Sequence, residues 1–130
     1  MTGAGPDATG EALMEVRIAV PDAESAQRMA RDLVERRLAA CVQALGPMTT
    51  VYSWQDEVHQ STEWLLLAKT TQAALGELTD VVVETHRYEV PEILAVPVTH
   101  ALGPYATWIR DWVGPQVADA TAPGEGPAYP

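Results

Sequence analysis

The chain has 130 residues, enough for one domain and too few for two ordinary ones. Its 18 Asp and Glu residues outnumber its 8 Lys and Arg residues, so the formal net charge is −10 at pH 7. A surface this acidic repels phosphate backbones and anionic lipids, which argues against nucleic acid and membrane partners, and it attracts cations. We find neither a secretory signal nor an apolar run approaching the roughly 18 residues of a membrane span, so the cytoplasm is the expected location.

The two ends of the chain differ in composition from its middle. Residues 1–12 and 114–130 are rich in Gly, Pro and Ala and have no periodic apolar pattern, so we predict that both are disordered. The predicted folded domain spans residues 13–113. A single cysteine, Cys41, excludes an intramolecular disulfide.

The first half of the domain predicts a strand, a helix and a second strand. Residues 14–20 alternate and end before Pro21, which indicates a central strand. Asp22 is a suitable N-cap for the helix that follows. Its core-facing residues recur at helical spacing: Ala26, Met29, Ala30, Leu33 and Val34. Residues 41–54 predict a long edge strand, broken or bulged at Gly46-Pro47 because proline cannot donate to a sheet ladder.

The second half predicts two strands and two helices. A polar turn at 55–57 leads into a returning strand over 58–70, whose apolar part indicates a central position. Thr70 or Thr71 is expected to cap a helix that runs to about His86. A short fourth strand over 93–96 precedes a last helix over 105–112. The inward residues of the middle helix are predicted to be Leu75, Leu78 and Val82.

This order of elements, βαββαβ plus a terminal helix, predicts an α+β ferredoxin-like sandwich with both main helices on one face of an antiparallel sheet. The hairpin formed by the second and third strands is longer than a four-stranded sheet needs. Long exposed edges invite pairing with another chain. We therefore predict closure by a ring of identical subunits.

Four blocks of sequence follow one another across the predicted domain: residues 33–42, residues 51–54 followed by Glu63 and residues 69–70, residues 86–93, and Tyr105 with residues 108–109. In this order they resemble the CutA family of divalent-cation tolerance proteins. The resemblance implies a ferredoxin-like fold, a tight trimer built through the long hairpin, and a link to copper or other divalent cations, with none required for folding. The first strand carries no cysteine, so a thiol ligand from that strand is absent.

Four residues are the candidate metal ligands. Cys41 offers a soft thiolate and His86 an imidazole, both of which suit copper, with Glu63 or Glu92 as a carboxylate partner. Each of the first two has a simpler interpretation. Cys41 follows three apolar residues and fits a buried core position, and His86 fits the C-terminal end of a helix.

A second set of residues is predicted to line a ligand cleft or a subunit interface. Glu63 and Lys69 share a face of their strand because their separation is even, so Lys69 either pairs with Glu63, Glu89 or Glu92 or serves as a pocket cation. Tyr52 and Trp54 also share a face and suit interface packing or a ligand platform. The full cleft set is Tyr52, Trp54, Lys69, Tyr88, Glu89, Tyr105 and Trp108.

Enzyme classes find little support, because the chain has no phosphate-binding glycine loop and no serine elbow. Two function classes stay open. One is a trimeric divalent-cation binding or tolerance protein, chiefly for copper. The other is a trimeric signalling or scaffold module of the PII kind, with a small anionic ligand held between subunits.

Overall fold

A computed structural model describes residues 10–114. The strands are β1 (Leu13–Val20), β2 (Cys41–Trp54), β3 (Glu57–Thr71) and β4 (Ile93–Pro97). The helices are α1 (Ala23–Glu35), α2 (Leu75–Thr85) and α3 (Gly103–Trp112), and a short 3-10 helix, Gln72–Ala74, precedes α2. The predicted element order is confirmed. Within residues 10–114, no helix is both long and apolar enough to cross a bilayer.

The four strands form one antiparallel sheet in the order β2-β3-β1-β4. Strands β1 and β3 are central and β2 and β4 lie at the edges, as predicted. Crossovers through α1 and α2 produce this order, which is that of a ferredoxin-like fold.

The main core lies between the sheet and the helices α1 and α2. Along β1, Val16, Ile18 and Val20 are buried, and along β3, Leu66 and Ala68 are buried. Alternation along the strands then directs Glu15, Arg17, Leu67 and Lys69 to the opposite side, which we call the open face. The helices supply the apolar residues predicted from their spacing, including Ala26, Met29, Leu33, Leu78 and Val82.

The β2-β3 hairpin extends beyond the rest of the sheet. Strand β1 pairs with β3 only from residue 64 onward, so residues 48–63 form a two-stranded extension, which we call the ribbon. Its loop, Gln55-Asp56, has φ values of 54° and 65°, as in a type I′ turn whose twist matches the strands. Several of its large apolar side chains are exposed, including Val51 at 62% and Val58 at 79%.

The predicted irregularity in β2 is confirmed at Gly46-Pro47. The register between β2 and β3 shifts between Leu45 and Met48, and the Gly46-Pro47 peptide bond is cis. Glycine is required at position 46 because an added Cβ would lie 2.5 Å from a ring atom of Trp64. The bulge therefore lets the indole cover the backbone of the edge strand.

The start of the second helix differs from the prediction. Thr70 and Thr71 both belong to β3, and neither side chain caps a helix. The Thr70 hydroxyl instead donates to the carbonyl oxygen of Leu38 at 2.7 Å, in a buried position. The two residues predicted to cap the helix therefore form the end of β3, and a 3-10 turn separates them from α2.

A second, smaller apolar cluster closes the far end of the sheet. Ala106 and Ile109 of α3 pack there with Leu13 and Ala40. The Trp112 indole donates to the carbonyl oxygen of Val34 at 2.9 Å. The last helix therefore packs on the domain, as predicted.

Residues near both ends of the described chain contact the domain. The backbone oxygen of Glu11 accepts a hydrogen bond from Arg110, and its carboxylate accepts one from the backbone N–H of Ala73. The backbone N–H of Gly114 donates to the carbonyl oxygen of Arg37. Contacts thus begin before residue 13, within the segment predicted to be disordered. The remainder of the two predicted tails, residues 1–9 and 115–130, lies outside the described residues.

Candidate functional site

A cleft of about 630 Å³ opens where the ribbon leaves the sheet, beside the segment that joins α2 to β4. The ribbon supplies aromatic and polar side chains, and the joining segment supplies carboxylates and apolar groups. The lining residues are Ala19, Thr50, Tyr52, Trp54, Glu63, Arg87, Tyr88, Glu89, Val90, Pro91 and Glu92. Six of the residues predicted for a metal or ligand site therefore meet here.

A buried carboxylate forms the floor of the cleft. Glu63 lies at the root of the ribbon and is only 7% exposed. The Tyr88 hydroxyl donates a hydrogen bond to one of its oxygens at 2.8 Å. Across residues 10–114 this is the one hydrogen bond that the Glu63 carboxylate receives. Burial, followed by the bond to Glu63 and its charge, raises the pKa of Tyr88 far above the ordinary value of 10, so the phenol stays protonated as a donor.

The imidazole of His86 holds the segment that carries Tyr88. The backbone N–H of Tyr88 donates to Nδ1 of His86 at 3.0 Å, and Nε2 lies 2.6 Å from the carbonyl oxygen of Ala19. Because Nδ1 accepts, the proton of a neutral ring must be on Nε2, which donates to Ala19. Both ring nitrogens are thus engaged. A metal ion would have to displace one of these two bonds to use His86 as a ligand.

The one guanidinium in the cleft lining is bound to groups at the start of α1. Arg87 donates to the carboxylate of Asp22 and to the Ser25 hydroxyl, the latter at 3.1 Å. The other oxygen of Asp22 accepts the backbone N–H of Ser25 at 2.8 Å, as predicted for the helix N-cap. This backbone bond, followed by the Ser25 hydroxyl and the charge of Arg87, lowers the pKa of Asp22. Arg87 therefore neutralises Asp22 more than it neutralises the carboxylates of the cleft.

Cys41, at the start of β2, and His86, at the end of α2, lie apart in the structure. Cys41 is buried and pairs with Lys69 on β3, whereas Ala19, the partner of His86, pairs with Leu65. Four residues of extended strand span about 13 Å, and shared coordination needs ligand bonds of about 2.0–2.3 Å. Within residues 10–114 of one chain, no group of three or more His, Cys, Asp or Glu side chains is placed to hold a metal ion. The predicted four-residue metal set therefore does not converge inside one subunit.

The only lysine of the chain pairs with a carboxylate that the sequence analysis did not assign to it. Lys69 Nζ donates to Glu15 at 2.9 Å and to Gln43 at 3.1 Å on the open face. Hydrogen bonding from Lys69 is the main cause that lowers the pKa of Glu15 from 4.5. The prediction that Lys69 pairs with Glu63, Glu89 or Glu92 is wrong for the single chain. Six residues of strand separate Lys69 from Glu63 by about 20 Å, although both lie on one face.

Two predicted cleft residues lie at the opposite end of the molecule. Tyr105 and Trp108 of α3 contact each other with ring centroids 5.4 Å apart and pack against the smaller apolar cluster. Neither lines the cleft of its own chain. Contact with the cleft of a neighbouring subunit stays a prediction.

Tyr52 and Trp54 occupy the same side of β2, as predicted, and both line the cleft. The Tyr52 ring stacks on His59 of the opposite strand, with ring centroids 5.4 Å apart. Both aromatic residues are about two-fifths exposed. The ribbon thus presents two aromatic rings to the cleft.

The residues that complete the cleft were not predicted from the sequence. Thr50, Val90 and Pro91 line it, and Arg87 closes one side. A signal for Thr50 was available, because it lies two residues before Tyr52 and so shares its face. Nothing in the local sequence pointed to the backbone oxygen of Ala19 as the partner of His86, since that contact spans 67 residues.

Comparisons with known proteins agree with this architecture. The family described as CutA1 divalent ion tolerance protein matches residues 14–112. The divalent-cation tolerance protein CutA of Thermus thermophilus is 44% identical over 99 residues, which cover 76% of this chain and 96% of that protein. Human protein CutA is 38% identical over 93 residues, or 72% of this chain, and the chain spans about half (52%) of its length.

Solved structures show the same likeness. The Thermus thermophilus Cut A1 structure superposes with a TM-score of 0.77 at 43% identity, covering 78% of this chain and 99% of that one. The structure of CutA1 from Oryza sativa gives a TM-score of 0.80 at 31% identity, covering 84% of this chain and all of that one. The family match over residues 14–112 spans the chain from β1 to α3. The chain is a member of the CutA1 divalent ion tolerance family.

Proposed function

We propose that this divalent-cation tolerance protein acts as a homotrimer in the cytoplasm, binds divalent cations with copper as the first candidate, and catalyses no reaction. One observation carries the cation-binding part. The buried carboxylate of Glu63 receives a single hydrogen bond, from Tyr88, within residues 10–114. A buried carboxylate with an oxygen that has no donor is costly, and a bound cation removes that cost. The net charge of −10 adds a long-range attraction for cations.

The proposed ligand set combines the cleft with residues of a neighbouring subunit. Glu63 and Glu92 line the same cleft and supply carboxylate oxygens. Copper prefers imidazole and thiolate ligands to carboxylates alone. Neither His86 nor Cys41 lines the cleft of its own chain, so the proposal takes them from a second subunit. His86 would then exchange one of its two internal hydrogen bonds for the metal.

The proposed trimer rests on the exposed ribbon. A two-stranded ribbon is marginally stable in water without further packing. This one carries exposed Val51 and Val58, which lie outside the cleft, and the open face adds exposed Leu94. Pairing of ribbons and open faces between three identical chains would bury these side chains and cover the exposed sheet edge.

The alternative, a PII-like module that binds an anionic small molecule, is not favoured. Three carboxylates line the cleft against one guanidinium. That guanidinium, Arg87, is engaged by Asp22 and Ser25. An anion entering the cleft would meet net repulsion.

Cu²⁺ binding to the purified full-length protein tests the proposed ligands. We expect Glu63→Gln and Glu92→Gln to weaken Cu²⁺ binding at least 10-fold in isothermal titration calorimetry. Glu84→Gln is the matched control, because Glu84 is exposed on α2 and does not line the cleft. Cys41→Ser and His86→Ala test the two softer ligands. Equal Cu²⁺ affinity in all five proteins and the wild type would contradict the proposed site.

Light scattering tests the assembly. A mass of three times 14.0 kDa is expected at low micromolar concentration. A soluble monomer under the same conditions would contradict the trimer. The cytoplasm is proposed because a single cysteine excludes an intramolecular disulfide, which is consistent with a reducing compartment. Cell fractionation tests that location.

A further inference from the structure

We propose that the same cleft binds a small aliphatic amine, a ligand class that divalent-cation tolerance does not imply. In this proposal an ammonium group of the ligand binds the buried carboxylate of Glu63. The methylene chain lies against Tyr52 and Trp54. Further ammonium groups, where the ligand carries them, meet Glu89 or Glu92 at the rim.

The size of the cleft admits an organic ligand as well as an ion. Its volume of about 630 Å³ lies within the range of roughly 300–1,000 Å³ that is usual for small-molecule sites. A metal ion needs ligands that converge to about 2.0–2.3 Å. No such group of His, Cys, Asp and Glu side chains exists in one chain over residues 10–114. The carboxylates of the cleft lie around its volume and do not converge on one point.

The walls of the cleft suit an alkyl ammonium group. Tyr52 and Trp54 present their rings to the cleft, and Val90 and Pro91 add apolar surface. Stacking on His59 supports the Tyr52 ring from the other strand of the ribbon. An ammonium group over an aromatic face is stabilised by the negative charge density of the ring, and methylene groups gain from leaving water.

The charge of the cleft selects for cations that can donate hydrogen bonds. Glu63, Glu89 and Glu92 line it, and the guanidinium of Arg87 is engaged by Asp22. The Tyr88 hydroxyl uses one oxygen of the Glu63 carboxylate, and no residue from 10 to 114 donates to the other. A primary ammonium group brings three N–H donors and a full positive charge. It therefore satisfies an oxygen that the described part of the chain leaves without a donor.

A pair of probes that differ only in charge tests the proposal. The full-length protein is titrated by calorimetry with 1,4-diaminobutane and with 1,4-butanediol, its uncharged counterpart of equal length. Physiological ionic strength is used because it screens attraction to the acidic surface in general. We expect the diamine to bind at least 10-fold more tightly than the diol.

Variants locate the binding. Glu63→Gln and Trp54→Leu are each expected to weaken diamine binding at least 5-fold, the first by removing the charge and the second by removing the aromatic face while keeping an apolar side chain. Glu84→Gln and Val83→Ala are the matched controls. Both residues lie on α2 outside the cleft, and Val83 is 52% exposed. Light scattering confirms that each variant keeps the assembly of the wild type.

The outcomes separate this proposal from the metal proposal. Loss of diamine binding with retained Cu²⁺ binding in Trp54→Leu supports an amine site that uses the aromatic wall. Diamine binding without Cu²⁺ binding in the wild type supports the amine site and contradicts the proposed metal function. Equal affinity for diamine and diol, or diamine affinity unchanged in both Glu63→Gln and Trp54→Leu, overturns the amine proposal.

Discussion

Glu15 and Glu63 are two carboxylates of neighbouring central strands, and their surroundings differ sharply. Glu15, in the middle of the open face, is bound by Lys69 at 2.9 Å. Glu63, at the root of the ribbon, is more deeply buried and is bound by the neutral hydroxyl of Tyr88. The sheet thus compensates one charge internally and leaves the other charge without a cation. The first arrangement stabilises the fold, and the second is the basis of the proposed ligand site.

The largest effect is expected where the internal cation is removed. Lys69→Met should lower the free energy of unfolding by about 2 kcal/mol, because it leaves the partly buried Glu15 with only the longer contact from Arg17 at 3.3 Å. The side chains of Lys69 and Glu15 are 18% and 24% exposed, which limits solvent screening. Urea denaturation at a fixed subunit concentration measures the change, since dissociation of an oligomer is concentration-dependent.

The double variant Glu15→Gln/Lys69→Met is the control for that measurement. It removes both charges, so we expect it to recover at least half of the loss. A double variant as unstable as Lys69→Met alone would show that Lys69 acts by packing and not by compensating Glu15.

A smaller loss is expected at the cleft when the neutral donor is removed. Tyr88→Phe keeps the ring and deletes the hydroxyl that donates to Glu63. It should lower the free energy of unfolding by about 1–1.5 kcal/mol, because a buried carboxylate then loses its donor. Tyr52→Phe, on the other wall of the cleft, is the matched control and should change stability by less than about 0.5 kcal/mol. Similar losses in both variants would argue against a specific role for the Tyr88–Glu63 bond.

The pH dependence of stability sharpens the comparison further. Lys69 lowers the pKa of Glu15 below 4.5 in the folded state. A lowered pKa means that this contribution to stability is complete above the unfolded pKa and is lost as the pH falls through the folded pKa. The free energy of unfolding of Glu15→Gln should therefore fall less steeply than that of the wild type below about pH 4.5. Parallel curves for the two proteins would contradict the assigned coupling.

The sequence predicted the fold better than it predicted these contacts. Periodicity identified the central strands β1 and β3 and the inward faces of α1 and α2, because local alternation and helical spacing report burial directly. The bulge at Gly46-Pro47 could also be predicted from the sequence, since proline has no N–H to donate. The N-terminal end of α2 was not readable, because Thr70 and Thr71 suit a cap and a strand equally well and the tertiary bond to Leu38 decides.

Prediction of the side-chain partners requires the register between strands, which local sequence patterns do not specify. Even spacing correctly placed Glu63 and Lys69 on one face, but it carried no information about distance along the strand. The partner of Lys69 lies 54 residues away in sequence and that of Glu63 lies 25 residues away. Local patterns specify which way a side chain points. Only the packed sheet specifies what it meets.

The smallest effect on stability is expected from Glu63→Gln, and it is the most informative about the comparison. The amide oxygen of glutamine can still accept the Tyr88 hydroxyl, so the observed hydrogen bond is retained. The variant also removes a buried charge that is bonded only by the neutral Tyr88 hydroxyl within residues 10–114, and so it relieves a desolvation cost. We therefore expect the free energy of unfolding of the ligand-free protein to change by less than about 0.5 kcal/mol or to rise.

Denaturation after metal chelation and dialysis measures this free energy. Added Cu²⁺ or diamine should stabilise the wild type but not the Glu63→Gln variant. A loss of 2 kcal/mol or more without ligand would mean that Glu63, like Glu15, is compensated within the protein, and the distinction between the two carboxylates would fail.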